Sequence, residues 1–208
     1  KVIDPKDASR FGMLDADETN KIFRFQEKPK QTKSNLASMG IYVFNTEVLL
    51  EKLQNNDITD LDFGKHIIPS MIEHNPVYAF RFCDYWKDVG TYDSYLEANL
   101  ELIETVDKIP LDMYDHNWKI YTKSEELPAV KIGSKALIRQ ALLSNGSIVA
   151  GIVERSVLSP GVVVHPLARV TNSVILNNVQ VFPGAVVENC IIDKHSQIGE
   201  NAFVGFGN

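Results

Sequence analysis

Apolar and polar positions follow two different patterns along the 208-residue chain, and the change falls near Lys131. Before that point, alternating and helical spacings are mixed, which favours strands and helices packed in an α/β layer. After it, short aliphatic runs are separated by Asn, Gly, Ser and Pro, and helical spacing disappears. We therefore expect two structurally different parts.

The first part is predicted to contain short strands and short helices. The predicted strands are residues 11–14, 21–27, 38–44 and 77–82, with 38–44 a buried strand because it is a compact apolar run. Asn45 or Thr46 is expected to begin a helix that ends near Leu53. Asp62 is expected to cap a second helix that has Pro69 at a kink or in its first turn, and Thr91 a third helix that ends near Glu104.

The second part repeats one aliphatic position at steps of five, six and six, and three such steps make one full repeat. The repeated positions are Val153, Leu158, Val164, Val170, Ile175, Val181, Val187, Ile192, Ile198 and Val204. A coil of three short parallel strands per turn, each with one side chain pointing inward, explains this spacing. A β-sandwich, with turns every 8–12 residues, explains it less well. Asn145-Gly146, Pro160-Gly161, Asn177-Asn178 and Pro183-Gly184 suit the corners of the coil.

Residues 108–130 join the two parts and contain Pro110 and Pro128. We interpret this segment as an extended linker held in place by Trp118, Ile120 and Tyr121. The predicted domains are therefore residues 1–107, the linker 108–130, and the coil 131–208.

Charge and cysteine content exclude several partners. The chain has 21 Lys and Arg against 27 Asp and Glu, a net charge of −6, which argues against a nucleic-acid partner. No apolar run approaches the roughly 18 residues of a membrane span, so no membrane partner is expected. Cys83 and Cys190 are too few for a disulfide framework or a four-cysteine zinc site. We interpret them as two buried, reduced thiols of a cytoplasmic protein.

Two short motifs could carry chemistry. Glu27 and Lys28 end a predicted strand before Pro29, where a carboxylate can accept sugar hydroxyls and an ammonium can bind a phosphate. Trp86 offers a flat face to a sugar ring, and Asp88 offers a carboxylate to Mg²⁺. On pattern alone, Glu27 and Lys28 are more simply a surface ion pair and Asp88 a turn carboxylate. Asp62 is similarly explained as a helix cap, and the more specific alternative is that its carboxylate contacts a sugar.

These motifs resemble bacterial glucose-1-phosphate adenylyltransferases, also called ADP-glucose pyrophosphorylases. The similar stretches are residues 8–12, 25–29, 35–44, 62–65, 85–91 and 111–122, and their order and spacing match along essentially the whole chain. The resemblance implies an α/β nucleotidyltransferase domain, of the GT-A or Rossmann-like kind and only partial here. It also implies that a left-handed parallel β-helix follows.

The resemblance also implies roles for individual residues. Glucose 1-phosphate would be bound by Gly12, Glu27, Lys28, Ser38, Asp62 and Trp86. Asp88 would bind Mg²⁺ and, with Lys28, take part in catalysis. The transferase hypothesis requires Glu27 and Lys28 to converge with Trp86 and Asp88 on one cleft.

The family's Gly-rich nucleotide loop and its first metal aspartate have no counterpart in the sequence, which opens on Lys1. We therefore expect a fragment that keeps the sugar-phosphate half-site, lacks most of the ATP site and is inactive alone. A full-length enzyme would transfer AMP from ATP to glucose 1-phosphate for glycogen synthesis. It would be a homotetramer, or a tetramer with a related subunit, and allosterically regulated.

Three alternatives stay open. The chain could belong to a non-catalytic regulatory subunit of the same family, or to another pyrophosphorylase, such as one that makes GDP-mannose. A β-helix acyltransferase is a more distant alternative, since it would need a catalytic histidine such as His165 or His195 and would leave the α/β motifs unexplained.

Overall fold

The computed structural model describes residues 1–54, 59–104, 111–123 and 125–205. It divides into two compact units, Lys1–Trp86 and Lys87–Asn208. The predicted boundary at residue 107 lies outside the described residues. Within the described part of the chain, no helix has the length and apolar character needed to cross a membrane.

The first unit is built on a small antiparallel sheet. A 3-10 helix, Pro5–Arg10, leads into strand β1 (Gly12–Ala16), followed by β2 (Ile22–Glu27) and the short β3 (Leu36–Ala37). β1 lies between β2 and β3, and its register places Gly12 opposite Glu27. The predicted strand pair is confirmed. Met13 and Ala37 are buried with Ala8 in a small apolar core, which holds β1 against the 3-10 helix.

Three short helical segments complete the first unit. Helix α1 spans Thr46–Gln54, as predicted. Asp62 caps a π-helical turn, Phe63–Ile67, which runs directly into helix α2 (Ile68–His74). Pro69 lies in the first turn of α2, where its missing N–H costs no hydrogen bond. Because the Asp62 side chain accepts a hydrogen bond from the backbone N–H of Lys65, the predicted cap at Asp62 is confirmed.

Two predicted strands of this unit are wrong. Residues 38–44 form no strand, and Ile41 and Val43 are 74% and 99% exposed. Residues 77–82 contribute only one bridge, between Lys21 and Tyr78, and Phe80 is 89% exposed. An apolar run becomes a buried strand only where a neighbouring strand and a covering layer are both present. Residues 77–79 have a short backbone contact with residues 20–22, but the high exposure of Phe80, Ile41 and Val43 shows that no layer covers these side chains.

The second unit begins with helix α3 (Tyr92–Glu101). Thr91 caps it through a reciprocal pair with Ser94, in which each side chain accepts a hydrogen bond from the other residue's backbone N–H. α3 is shorter than the predicted helix, which was expected to reach Glu104. Leu100 and Ile103 are buried, whereas Tyr92 is 87% exposed.

The remaining strands form a parallel β-helix. They are β4 (Lys131–Ile132), β5 (Leu137–Leu143), β6 (Ile148–Val149), β7 (Ile152–Leu158), β8 (Val163–Val164), β9 (Arg169–Thr171), β10 (Val174–Ile175), β11 (Gln180–Val181), β12 (Val186–Glu188), β13 (Ile191–Ile192), β14 (Gln197–Ile198) and β15 (Phe203–Val204). From β7 to β12, each strand pairs in parallel with a strand one full repeat further on, as Val174 does with Ile191. Stacking of successive turns produces this register.

The predicted aliphatic column is the core of the β-helix. Its members from Val153 to Val187 are fully buried, Ile192 is 7% exposed, and Ile198 and Val204 pack against them. Each such side chain contributes up to about 1.5–3 kcal/mol by burial. A second inward position lies two residues before each member, and the sequence analysis missed it. Its buried occupants are Ser, Ala or Val and include Ser156, Val162, Ala168, Ser173, Val179 and Ala185.

Corners of the β-helix occur where the backbone turns with positive φ. Gly146, Gly161, Asn178 and Gly184 all have positive φ, so the predicted corners are confirmed. Corresponding corners recur once per repeat and form rows: Gly161, Asn178 and His195 make one, and Leu167, Gly184 and Asn201 another. Leu167 is the exception in its row, because a leucine side chain disfavours this left-handed conformation.

Two further expectations need correction. Trp118, Ile120 and Tyr121 are 77%, 54% and 90% exposed, so they do not hold the linker in place. The linker is instead attached near Pro128, whose carbonyl accepts a hydrogen bond from Gly146 N at 2.6 Å. Both cysteines are free, as expected, but neither is fully buried: Cys83 is exposed and Cys190 is half-buried.

The corner at Leu167 provides a test of this backbone account. Leu167 is 84% exposed and has φ of 67°, so Leu167→Asn should raise the free energy of unfolding because asparagine tolerates this conformation at little loss of burial. We expect a gain of about 1 kcal/mol in urea unfolding followed by circular dichroism. The control is Leu137→Asn, in strand β5, which should be neutral or destabilising. An unchanged or lower urea midpoint for Leu167→Asn would contradict the account.

Candidate functional site

The carboxylate of Glu27 lies against two glycines, at the end of β2. A Cβ atom added to Gly12 would lie 3.0 Å from Glu27 Oε2, and one added to Gly64 only 2.3 Å from it. The same position at Gly64 is 3.5 Å from Asp62 Oδ1. The absence of side chains at Gly12 and Gly64 therefore gives the Glu27 carboxylate its place beside Asp62.

Lys28 follows at a turn out of the sheet. Its backbone has φ of 44°, and its N–H donates to the Phe11 carbonyl at 3.0 Å. Its ammonium lies 3.9 Å from Glu27 Oε1, and 63% of its side chain is exposed. Such an exposed pair contributes little to stability, so the ammonium can reorient toward an anionic ligand at small cost.

Asp62 acts as a helix cap. Its carboxylate accepts a hydrogen bond from Lys65 N at 2.8 Å, and this bond holds the pKa of Asp62 below its ordinary value. Its own N–H donates to His66 Nδ1 at 3.1 Å. Capping explains why Asp62 occurs at this position, and a contact with a sugar hydroxyl would be additional.

Ser38 is connected to both β1 and the capped helix. Its N–H donates to the Gly12 carbonyl at 2.7 Å, and its hydroxyl is 3.0 Å from the hydroxyl of Tyr42. The ring of Tyr42 stacks on Phe63, with centroids 6.0 Å apart and planes 14° apart. Tyr42 therefore links Ser38 to the residue directly after Asp62.

Trp86 is half-buried at the end of the first unit. Its ring lies 5.3 Å from that of Phe11, centroid to centroid, at a tilt of 57°. Phe11 directly precedes Gly12, so Trp86 reaches the same strand as the glycine beside Glu27.

The structure thus brings six of the predicted residues into one unit through continuous contacts: Gly12, Glu27, Lys28, Ser38, Asp62 and Trp86. Asp88 belongs to the second unit and is half-buried, with Gly90 against its carboxylate. Its convergence with Lys28 therefore stays a prediction. Sequence analysis assigned no role to Gly64, Tyr42, Phe63 or Phe11. The signal for Gly64 was its place two residues after a predicted helix cap.

The metal role of Asp88 can be compared with the donors around it. Among the described residues, no group of three His, Cys, Asp or Glu side chains is arranged to hold a metal ion. A complete protein cage is therefore not present in this part of the chain. A single carboxylate still fits Mg²⁺, which is commonly bound by one or two carboxylates together with substrate phosphates and water.

Two family models cover the chain. Residues 1–105 match the model described as nucleotidyl transferase, and residues 128–208 match that described as GlmU-like, C-terminal hexapeptide. The chain belongs to the nucleotidyl transferase family, and its nucleotidyltransferase region is followed by a hexapeptide-repeat region. The predicted fold class, an α/β nucleotidyltransferase part followed by a left-handed parallel β-helix, is confirmed.

Curated relatives make the similarity more specific. The chain is 44% identical to the glucose-1-phosphate adenylyltransferase of Fervidobacterium nodosum, over 97% of this chain and 49% of the relative. It is 47% identical to that of Thermomicrobium roseum, over 99% of this chain and 48% of the relative. It is 39% identical to the glucose-1-phosphate adenylyltransferase of Acetivibrio thermocellus, over 97% of this chain and 48% of the relative. The chain spans about half the length of the curated relatives it matches, and the predicted resemblance is confirmed.

The lowered pKa of Asp62 generates a prediction about pH. A carboxylate with a lowered folded-state pKa adds stability above its unfolded pKa of about 3.9, and that stability is lost as pH falls through the folded pKa. Asp62→Ala should therefore be less stable than the parent at pH 7, and the difference should shrink below about pH 4. Urea unfolding at both pH values checks this.

Asp62→Asn is the matched control, because asparagine still caps the helix but does not titrate. Its stability should fall between those of the parent and Asp62→Ala at pH 7. An equal loss for Asp62→Ala at both pH values would show that the charge of Asp62 is not involved.

Proposed function

We propose that this chain provides the glucose 1-phosphate half of an enzyme that transfers AMP from ATP to glucose 1-phosphate, giving ADP-glucose and pyrophosphate. The observation that carries the proposal is the position of the Glu27 carboxylate, which lies against Gly12 and Gly64 and beside Asp62. It lies within residues 1–105, the region of the nucleotidyl transferase match. The names of the curated relatives support the choice of sugar phosphate and nucleotide.

The carboxylates in this proposal recognise the sugar. Glu27 is held at the end of a strand, and its side chain is 24% exposed, so its oxygens can accept hydrogen bonds from sugar hydroxyls. Asp62 would accept a further hydroxyl beside it. Gly12 leaves room for the Glu27 carboxylate, Ser38 adds a hydroxyl, and Trp86 provides an apolar face.

Lys28 recognises the phosphate. Its exposed ammonium would move from Glu27 to the phosphate, where the charge-assisted hydrogen bond contributes about 1.5–3 kcal/mol. This contact positions the attacking oxygen and would make Lys28 both a substrate-binding and a catalytic residue.

The proposed reaction is a displacement at phosphorus. An oxygen of the glucose 1-phosphate phosphate attacks the α-phosphorus of ATP, and the bond from that phosphorus to the bridging oxygen of pyrophosphate breaks. The electron pair of that bond leaves with pyrophosphate. Because the nucleophile is already an anion, no general base is needed, and alignment of the two substrates supplies most of the rate enhancement.

Asp88 would hold Mg²⁺ in this proposal. When bound, the ion would neutralise the negative charge that develops on the phosphate oxygens. The proposal further places the full-length enzyme in the cytoplasm and in glycogen synthesis. The enzyme would be a homotetramer, or a tetramer with a related subunit, and would be under allosteric control. The free state of both cysteines supports a reducing compartment.

Calorimetry with the 208-residue chain tests the sugar-phosphate site. Gly64→Ala should weaken glucose 1-phosphate binding roughly tenfold, since the added methyl group displaces the Glu27 carboxylate that accepts sugar hydroxyls. Gly199→Ala is the matched control, because a Cβ there meets no atom within 4 Å. Absence of binding by the parent chain, or equal affinity in Gly64→Ala, would contradict the proposed site.

Steady-state kinetics separate the roles of Lys28 and Asp88 in a full-length enzyme that carries these residues. Lys28→Ala should mainly raise KM for glucose 1-phosphate, by roughly 10- to 100-fold, because a charge-assisted hydrogen bond to substrate is lost. Asp88→Asn should mainly lower kcat, because the lost charge acts on the transition state. Normal turnover by Asp88→Asn would remove Asp88 from the metal role.

A further inference from the structure

A lysine next to Asp88 is bound by two carboxylates of helix α3. Lys87 Nζ lies 2.7 Å from Glu97 Oε2 and 2.7 Å from Glu101 Oε1. Glu97 and Glu101 are four residues apart, so they project from the same side of the helix. Lys87 thus bridges two like charges that would otherwise repel each other. We call this arrangement of Lys87, Glu97 and Glu101 the lysine clamp.

Lys87 is the sheltered member of the lysine clamp, whereas the Glu97 side chain is 66% exposed. The Lys87 side chain is 22% exposed, whereas the cations of the remaining Lys or Arg pairs in the chain's described part are 48–70% exposed. Burial lowers the pKa of Lys87, but the hydrogen bonds that its ammonium donates to Glu101 and Glu97 outweigh burial and raise the pKa above its ordinary value.

The segment between Lys87 and the helix is fixed at its other end as well. Thr91 and Ser94 form the reciprocal cap of α3, so Thr91 is held by two hydrogen bonds, each between a backbone N–H and a side-chain hydroxyl. Only Asp88, Val89 and Gly90 separate the two attachments. Gly90 lies against the Asp88 carboxylate, since a Cβ there would be 3.2 Å from Oδ2.

We propose that Lys87 is a positioning residue, which fixes Asp88 relative to α3 through the lysine clamp. A short segment held at both ends restricts the backbone of the residues between them, and Asp88 directly follows the clamped lysine. This inference rests on the role proposed for Asp88. It adds that the central residue of the Trp86-Lys87-Asp88 motif acts through its neighbour, without contacting substrate.

Two measurements on the same variants test the inference. In the 208-residue chain, Lys87→Met should lower the backbone order parameters of Asp88 and Val89, measured by NMR relaxation, from about 0.85 toward 0.6, as expected when a local attachment is lost. Lys87→Arg should restore the high order parameters, because a guanidinium can also bind both carboxylates. Lys135→Met, at an exposed lysine of the same unit, is the control and should leave both amides unchanged.

In a full-length enzyme carrying these residues, Lys87→Met should lower kcat roughly 10- to 100-fold, since small misplacements of a catalytic group have effects of this size. KM for glucose 1-phosphate should stay within about twofold, and the Mg²⁺ concentration needed for half-maximal rate should rise. Lys87→Arg should recover most of the rate. If Lys87→Met does not fold, Glu97→Gln, which leaves the Lys87–Glu101 pair, should show the same changes in smaller measure.

The outcomes distinguish this inference from the proposed function. Unchanged backbone order parameters at Asp88 and Val89 in Lys87→Met would overturn the positioning role. So would normal kcat and Mg²⁺ dependence in Lys87→Met while Asp88→Asn is impaired. Normal turnover in Asp88→Asn would instead contradict the role proposed for Asp88 itself.

Discussion

Close packing of the Glu27 carboxylate against the backbone at Gly12 and Gly64 is the contact on which the candidate site depends. Gly12 faces Glu27 across the β1–β2 register, and Gly64 brings the π-helical turn to the same carboxylate. A side chain at Gly64 would occupy the position of Glu27 Oε2. Two local structures, a strand pair and a capped helix, therefore meet at one acidic group. The sheet and the helix start are in this sense both part of the site.

The β-helix rests on a different constraint, a single repeat length that is met in the core and at the corners together. Its inward column is aliphatic, the second inward position holds buried Ser, Ala or Val, and successive turns stack in parallel. Ser156 and Ser173 illustrate the adjustment. Each donates its hydroxyl hydrogen to a carbonyl two residues earlier and accepts an N–H from the next turn, so a buried polar side chain is satisfied inside the coil.

Sequence alone predicted the features that repeat or that are determined locally. The aliphatic column could be found because one residue type recurs at fixed spacing, and the caps at Asp62 and Thr91 because capping depends on a few adjacent residues. Residues 38–44 failed because burial of an apolar run depends on distant neighbours. The roles of Gly64 and Lys87 could not be predicted for the same reason: each depends on a side chain that lies far away in sequence, Glu27 for Gly64 and Glu101 for Lys87.

Binding of glucose 1-phosphate by the 208-residue chain, followed residue by residue in an NMR titration, tests the account most directly. The account predicts saturable shifts of the Gly12, Lys28, Ser38 and Gly64 amides with one common dissociation constant. Shifts confined to the β-helix, or none at saturating ligand, would contradict it.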